Sequence, residues 1–418
     1  MFSGVSTLSA QESFQLIAHP AVGRESEVIV QMNVTGSLQV LEDNNPTSIP
    51  LSVDADLRYR ELRQATDNST QSTIRQYAKT QATITVDGNP IQPQLRDSRR
   101  RIRVEAGADV DLYSLDGALT REELDLLEIQ GNTVLLNRLL PTTDVVLGDS
   151  WKHHDALLAS FLAIDAVSVN EVRSTLASAD SSSATIELSG RVEGAVHGVS
   201  TEIEVGGKYL FDRQQQTVTK CQLLIKEQRS IGHVGPGIKA DSTINILIVP
   251  QTAREMANLL SVGMNSMAKR ETNLEHTSPS GFTFNYDRRW HVMSETDGQV
   301  SLRMVNRGDL VAQANVSLLQ SDAGPIDAPS FRRQITQALG ERAKNITSEG
   351  ALKTQAGQKV AGITAVGIVS GLPIEWRYYL IGDKAGQQVA VVVTLEPDLS
   401  ETLNHADRAI VESFRWTR

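Results

Sequence analysis

The chain has 418 residues, 40% of them hydrophobic and 22% charged, so it can bury substantial cores and is too long for one ordinary core. Its formal net charge of −10 repels phosphate backbones and anionic headgroups at long range, which argues against a nucleic-acid partner. A single cysteine, Cys221, excludes an intramolecular disulfide and a cysteine-based zinc site.

Residues 1–13 are read in two ways. Ser6-Thr-Leu-Ser-Ala10 looks like the tail of a signal peptide without the basic and apolar regions that precede a cleavage site. On that reading the protein is exported to the bacterial periplasm or beyond; on the other, 1–13 is a disordered terminus. No apolar run approaches the roughly 18–20 residues that cross a bilayer, so no transmembrane segment is expected.

Residues 14–270 are read as one antiparallel, strand-rich domain with intervening helices. Glu27–Val34, Leu51–Tyr59, Thr73–Val86 and Arg101–Val104 alternate apolar and polar side chains, giving a sheet with one wet and one buried face. Turn residues separate them at Asn44-Asn-Pro46 and Asp87-Gly-Asn-Pro90. Thr120-Arg-Glu-Glu123 is an N-cap signature, and Leu124, Leu127, Leu135, Leu136, Leu139 and Leu140 continue at helical spacing to Pro141. A second helix is expected from Asp149 through Leu162 and a third over Ser168–Ala177. Strands resume over 183–193, 200–211, 217–227 and 241–249, with Gly190, Gly194, Gly198 and Gly206-Gly207 pointing to bulges or tightly bent strands. The blocks 14–115 and 183–250 read as two related halves. A helix follows from Pro250 and Thr252 through Met267, and 271–280 reads as a linker.

Residues 281–418 form a second domain. They hold ten of the nineteen aromatic residues and three of the four tryptophans. Strands are expected at Phe282–Tyr286, Trp290–Ser294, Val300–Val305 and Leu310–Leu319. A helix follows over Pro329–Ala343, then strands at Lys359–Ser370, Glu375–Ile381 and Val389–Leu395, and a closing helix over Asp398–Phe414. An antiparallel sheet flanked by helices satisfies these apolar faces, so the chain as a whole is α+β.

This order, with Gly281-Phe-Thr-Phe-Asn-Tyr286 and Trp290 at its start, Ile374-Glu-Trp-Arg-Tyr-Tyr379 and Val391-Val-Val-Thr-Leu395, resembles the Mog1/PsbP-like fold over about 280–418. The resemblance implies a binding or assembly role, as in photosystem accessory proteins, a small-GTPase partner and exported bacterial proteins. It brings no catalytic residue. The first 270 residues resemble, more loosely, the curved antiparallel half-barrels of exported lipoprotein carriers, which implies an apolar groove covered by a helix.

No catalytic, cofactor or metal set emerges. His153-His154-Asp155 places adjacent histidines about 100° apart on a helix, a poor arrangement for one metal, and reads as an exposed helix start beside Trp151. Gly232-His-Val-Gly-Pro-Gly237 lacks the spacing of a phosphate loop and reads as a strand connection. Cys221 shares a strand face with Leu223 and Ile225, as a buried thiol does. Arg307-Gly-Asp309 reads as a turn. The one basic cluster is Arg99, Arg101 and Arg103, alternating onto one strand face, with Arg96 before it. That row suits an anion or an acidic partner, or cross-strand pairing with Asp54 and Asp56. The expected function is that of an exported, non-enzymatic binding or assembly module for a protein partner or apolar ligand. The alternative is a hydrolase-type enzyme with a dispersed site.

Overall fold

The computed structural model of the chain describes residues 12–19, 22–43, 45–64, 71–107, 109–251, 272–319, 327–348, 352–383 and 386–417. The segment Met1–Ala10 and the helix expected through Met267 lie outside these residues.

The first block contributes β1 (Ser13–Phe14), β2 (Glu25–Glu42), β3 (Asn45–Arg63), β4 (Gln71–Val86), β5 (Asn89–Ile91), β6 (Arg101–Ala106) and β7 (Val110–Ser114). Then come α1 (Arg121–Leu127), α2 (Thr133–Leu136), β8 (Val145–Val146), β9 (Ser150–Lys152) and α3 (Asp155–Leu162). The second block is β10 (Ala166–Asn170), β11 (Arg173–Ala179), β12 (Ser183–Val196), β13 (Val199–Asp212), β14 (Thr217–Arg229) and β15 (Gly237–Pro250). The last third begins with β16 (Leu274–Ser278), β17 (Phe282–Tyr286), β18 (Trp290–Thr296), β19 (Gln299–Asn306), β20 (Asp309–Leu319) and α4 (Ala328–Leu339). It ends with β21 (Ala343–Ser348), β22 (Leu352–Lys353), β23 (Lys359–Val369), β24 (Leu372–Gly382), β25 (Gln388–Leu395), α5 (Ser400–Leu403), α6 (Ala406–Ser413) and β26 (Arg415–Trp416). Strands predominate throughout.

Thirteen strands make one sheet, ordered β7-β6-β4-β3-β2-β15-β14-β13-β12-β11-β9, with β5 beside β4 and β10 beside β12. The two strand blocks join where β2 pairs with β15, from Ser26 opposite Pro250 to Gln39 opposite Gly237. Alternation puts Val28, Val30, Leu57, Ile203, Leu223, Ile244 and Ile246 on one face, all nearly inaccessible. That face is roofed by Leu127 of α1, by Val134, Leu135 and Leu136 of α2, and by Leu158, Phe161 and Leu162 of α3, which belong to the same apolar core.

The roof differs from the expected helices in three places. The run from Thr120 to Pro141 is two short helices, because Gly131 adopts φ 79° and Asn132 caps a new start by accepting from the Val134 amide. A Cβ on Gly131 would stand 2.8 Å from Leu223 Cδ1, so the roof touches the sheet at a point where only glycine fits. Ser150–Lys152 is a strand, and α3 starts only at Asp155. Ser168–Ala177 is not a helix: Ala166–Asn170 and Arg173–Ala179 pair with β12, where β-branched and small residues fit a pleated edge. The Thr120 capping box is present as read, with Thr120 Oγ1 accepting from the Glu123 amide at 3.2 Å and Glu123 Oε2 accepting from the Thr120 amide at 2.9 Å.

In the last third an eight-stranded sheet runs β18-β19-β20-β25-β24-β23-β21, with β22 beside β23. Phe331 and Leu339 of α4 pack with Ile363, Ala365, Trp376 and Leu380. Odd residues of β24 point to the opposite face. There Arg377 bonds Glu375 Oε1 at 2.7 Å and Asp407 of α6 at 3.2 Å, and the Tyr379 hydroxyl donates to Asp407 at 2.6 Å. The closing helix breaks at Asn404 and His405, both left-handed. Within the stretch read as a linker, Leu274–Ser278 is a strand paired with β17, and Leu274 is fully buried. Phe282, Phe284, Tyr286 and Phe414 are core residues; Phe282 stacks on Phe284 and Phe414 at 6.3 and 5.6 Å, and Tyr286 lies tilted against Phe284 at 6.1 Å.

Candidate functional site

The arginine segment is built on a tight turn. Asp97–Arg99 forms a 3-10 helix, so Arg99 is not on the strand face with Arg101 and Arg103. Its Nε donates to Ala118 O at 3.0 Å, and its guanidinium covers Gly117. Arg100 bonds Asp97 Oδ1 at 2.9 Å, and Arg101 grips Asp116 with both ends of its fork. Arg99, Arg100 and Arg101 thus line one open bay with Asp97 and Asp116. Arg103 lies apart, 3.3 Å from Ser72 Oγ and 3.4 Å from Glu105. Asp54 and Asp56 do not face this row. The strand β4 intervenes, and they sit further along it, where Asp56 pairs with Lys79 at 2.6 Å and Asp54 accepts from Asn33. Arg96 works elsewhere: it bonds Glu123 at 2.7 Å and Glu275 at 2.8 Å, linking α1 to β16. Burial acts to raise the Glu123 carboxyl, but hydrogen bonds from Arg96 and from the Thr120 amide outweigh it and hold that carboxyl low.

The histidines and the cysteine are scattered. His153 is buried rather than exposed, with Nε2 2.8 Å from Ser174 Oγ; burial, helped by His154, drives its ring down to about 4. His154 is the residue before α3. His233 lies in the β14–β15 connection, where its carbonyl accepts from Arg303 at 2.8 Å. Cys221 is buried, and burial pushes its thiol up to about 12, which leaves it unreactive at neutral pH.

Two features escaped the sequence. The first is a cluster of polar and charged groups where α1 meets the β17–β18 turn. Arg121 Nη2 donates to Arg288 O at 2.5 Å, and Arg288 donates back to Leu112 O and, at 2.7 Å, to Thr272 O. The rings of His197 and His291 stand 4.7 Å apart, and Asp165 accepts from the His197 amide at 2.5 Å. Burial raises Asp111 and Glu128, lowers His197 and brings His291 down to about 3. Asp125, with 61% of its side chain exposed, is still pushed up to about 6 by the protein that displaces its solvent. Beside this cluster Gly198 and Gly308 meet backbone to backbone: a Cβ on Gly198 would fall 1.7 Å from the Gly308 Cα. The Arg307-Gly-Asp309 turn is thereby a packing contact. Among the described residues, no group of three or more His, Cys, Asp or Glu side chains is placed to hold a metal ion.

The second feature is the open end of the thirteen-stranded sheet. Met32 and Ala55 are the last residues of β2 and β3 that pack against the core. Beyond them the same face continues as Val34, Leu38 and Val40, paired with Val53, Ile49 and Thr47, and on through Leu51, Ile84 and Val86. These side chains are half-buried, and Ile91 at the edge is 56% exposed. The opposite face here carries Asn33, Thr35, Gln39, Ser52 and Asp54. In the roofed part, by contrast, the gap beside Tyr59 and Asn132 measures about 10 Å³ and the one beside Glu61 and Leu136 about 40 Å³. No lipid-sized groove is present in that interior among the described residues.

No family model matches this chain, and no curated protein does. Among solved structures it is similar to the Ran-binding protein Mog1p of Saccharomyces cerevisiae, with a TM-score of 0.28 and 12% identity over 35% of this chain and 95% of that one. A lipovitellin structure matches with a TM-score of 0.34 and 6% identity over 60% of this chain and 30% of that one. A loop L8 deletion mutant of OmpT, an outer-membrane protein of Vibrio cholerae, matches with a TM-score of 0.13 and 8% identity over 88% of this chain and 98% of that one. Likenesses this faint identify neither a ligand nor a partner. Among the described residues no helix is long and apolar enough to cross a membrane.

Proposed function

We propose that this chain is a non-enzymatic binding module of an exported bacterial assembly, and that it receives an apolar surface of a protein partner on the open end of its N-terminal sheet. The observation that carries this reading is the strip Val34, Leu38, Ile49, Leu51, Val53, Ile84 and Val86, half-buried on one face, while the other face of the same strands is polar apart from Leu41 near the β2–β3 turn. An apolar patch rimmed by polar residues is the usual mark of an interaction surface. The backbone there is already paired within the sheet, so a partner gains side-chain contact rather than an added strand. A protein surface is favoured over a lipid because the roofed interior offers only small gaps.

The test is purification from the native host, followed by native mass measurement. Wild-type protein is expected to carry a partner chain. Leu38→Asp and Val53→Asp should lose it, and Gln39→Asp and Ser52→Asp on the polar face should keep it. Equal behaviour of the two pairs, or wild type with no protein partner, sets the reading aside; a bound lipid of defined mass would favour the apolar-ligand form instead.

A hydrolase-type reading is favoured by one observation, the clustering of the shifted groups Asp125, His197 and His291 about Arg121. Acids and bases with shifted affinities for protons, held close together, are one ingredient of catalysis. Turnover of a fluorogenic ester, phosphoester or peptide that disappears in Asp125→Asn and His291→Ala would establish it. No turnover of any of the three would remove its support.

A further inference from the structure

We propose a site for a small oxyanion, a carboxylate or phosphate group, at the other end of the roofed sheet face, held by Arg63 and Arg24. The site stands independently of the partner surface described above. It is a cavity of about 40 Å³ between the start of β2, the end of β3, α2 and the start of β14. At roughly 10–15 Å³ per water, that is room for about three waters, or for one carboxylate or phosphate group, and for nothing as large as a cofactor.

Arg63 is the last residue of β3 and lies two positions from Glu61, so both side chains belong to the inward face. Its guanidinium is half-buried and finds no hydrogen-bond acceptor among the described residues. The nearest acid is already occupied. Glu61 Oε2 accepts from Arg75 Nε at 2.8 Å and from Thr133 Oγ1 at 2.7 Å, and Arg75 also bonds Asn132 Oδ1 at 2.5 Å. Five donors on a planar fork, partly withdrawn from water and without an acceptor among the described residues, are a costly arrangement that an anion relieves. Burial accordingly disfavours the charged form of Arg63, with Glu61 only partly opposing it.

Arg24 supplies the second positive group. Its fork is held in place by Gln215, whose backbone carbonyl lies 3.2 Å from Nη1 and whose side-chain oxygen accepts from Nη2. The hydroxyls of Ser26 and Thr217 line the same cavity, and Leu136, Val218 and Ile248 close its other walls. Counting charges around it among the described residues, Arg24, Arg63 and the adjoining Arg75 face one carboxylate, that of Glu61, which leaves these groups with a balance of +2. A bound oxyanion brings that balance toward zero, and the apolar wall strengthens the attraction by excluding water.

The experiment uses the full chain and three probes: inorganic phosphate, acetate and octanoate, each against sodium chloride at matched ionic strength. Calorimetric titration and the thermal midpoint are read together, since a ligand that binds only the folded state raises that midpoint. Phosphate or a carboxylate is expected to bind one-to-one. Arg63→Gln is expected to weaken binding at least tenfold, and Arg63→Lys to weaken it less, because charge survives while the fork is lost. Phosphate binding without acetate or octanoate binding assigns a phosphate site; the reverse assigns a carboxylate site, with octanoate tighter than acetate if the apolar wall takes part. The proposal is overturned if all three probes act on wild type no more than chloride does, or if Arg63→Gln binds them as tightly as wild type. The wild-type titration decides the first point even if a variant fails to fold.

Discussion

Strands β2, β3 and β4 run from a roofed end, where Val30, Leu57 and Tyr77 are sealed beneath the connection between α1 and α2, to an open end, where Val34, Val53 and Ile84 are half-exposed. Both ends show the same alternation of apolar and polar residues, so the difference lies in what stands above the apolar face. At the roofed end helices cover it, and the polar groups brought inside must be fully paired. At the open end nothing among the described residues packs on it. Alternation therefore marks a face, while only the roof decides whether that face is core or surface. Breaking the comparison means finding a roofed residue that costs little to change, or an open-end residue that costs much.

The largest effect is expected at Arg75. Its guanidinium is 3% exposed, is bonded to Glu61, Asn132 and Thr133, and lies 4.8 Å from the centre of the Tyr59 ring. Arg75→Ala leaves Glu61 buried without its counter-ion, which should cost about 3–5 kcal/mol in chemical denaturation of the full chain. The double replacement Arg75→Met with Glu61→Leu should recover most of that loss, because it removes the charge pair as a unit. A single variant that loses less than about 1 kcal/mol would mean the roof does not hold this pair in a dry interior.

Next comes a pH effect of about 3 kcal/mol at His153, another buried titratable group of the N-terminal domain. Its ring is 7% exposed and titrates near 4, against an ordinary histidine value of about 6.5. The folded state therefore holds it neutral, while the unfolded chain takes up a proton as pH falls below 6.5. Stability should fall between about pH 6.5 and 4 and then level off, by about 3 kcal/mol in all at 1.36 kcal/mol per unit. His153→Gln should flatten that part of the stability-pH curve. A wild-type curve that is already flat from pH 6.5 to 4 would show that the ring is solvated.

Much of this architecture was legible in the residues. The long strands of both blocks announce themselves because period-2 alternation survives over many residues, and Thr120 with Glu123 marks a cap because two reciprocal hydrogen bonds need those residue types at that spacing. Ser168–Ala177 misled because Val169, Val172 and Leu176 also fit a helical period, and short edge strands have too few residues to decide. The stretch read as a linker contains the strand Leu274–Ser278, because a polar segment becomes a strand when a partner such as β17 is available, and that pairing does not show in the residue pattern. For the site, the arginine row was visible as composition, but its partners were not. Asp116 reaches Arg101 through a hairpin, and Arg96 turns away to Glu275, 179 residues later. The cluster around Arg121 and Arg288 could not be read at all, since its members come from α1, β7, the β12–β13 turn and β18, and only tertiary packing brings them together.

The smallest expected effect is the most direct measure of the two ends. Val30 and Val34 lie on the same strand and the same face, four residues apart; Val30 is 2% exposed and Val34 is half-exposed. Valine to threonine keeps the shape and replaces a methyl by a hydroxyl, so it asks only whether water can reach the position. At Val30 the hydroxyl is buried among apolar side chains, and the loss should be about 1–3 kcal/mol. At Val34 water remains in contact, and the change should stay within about 0.5 kcal/mol. Denaturation midpoints of the two variants give the comparison directly. A Val34→Thr loss matching that of Val30→Thr would mean that the open end is covered in the isolated protein, and the surface assigned to a partner would not be available to one.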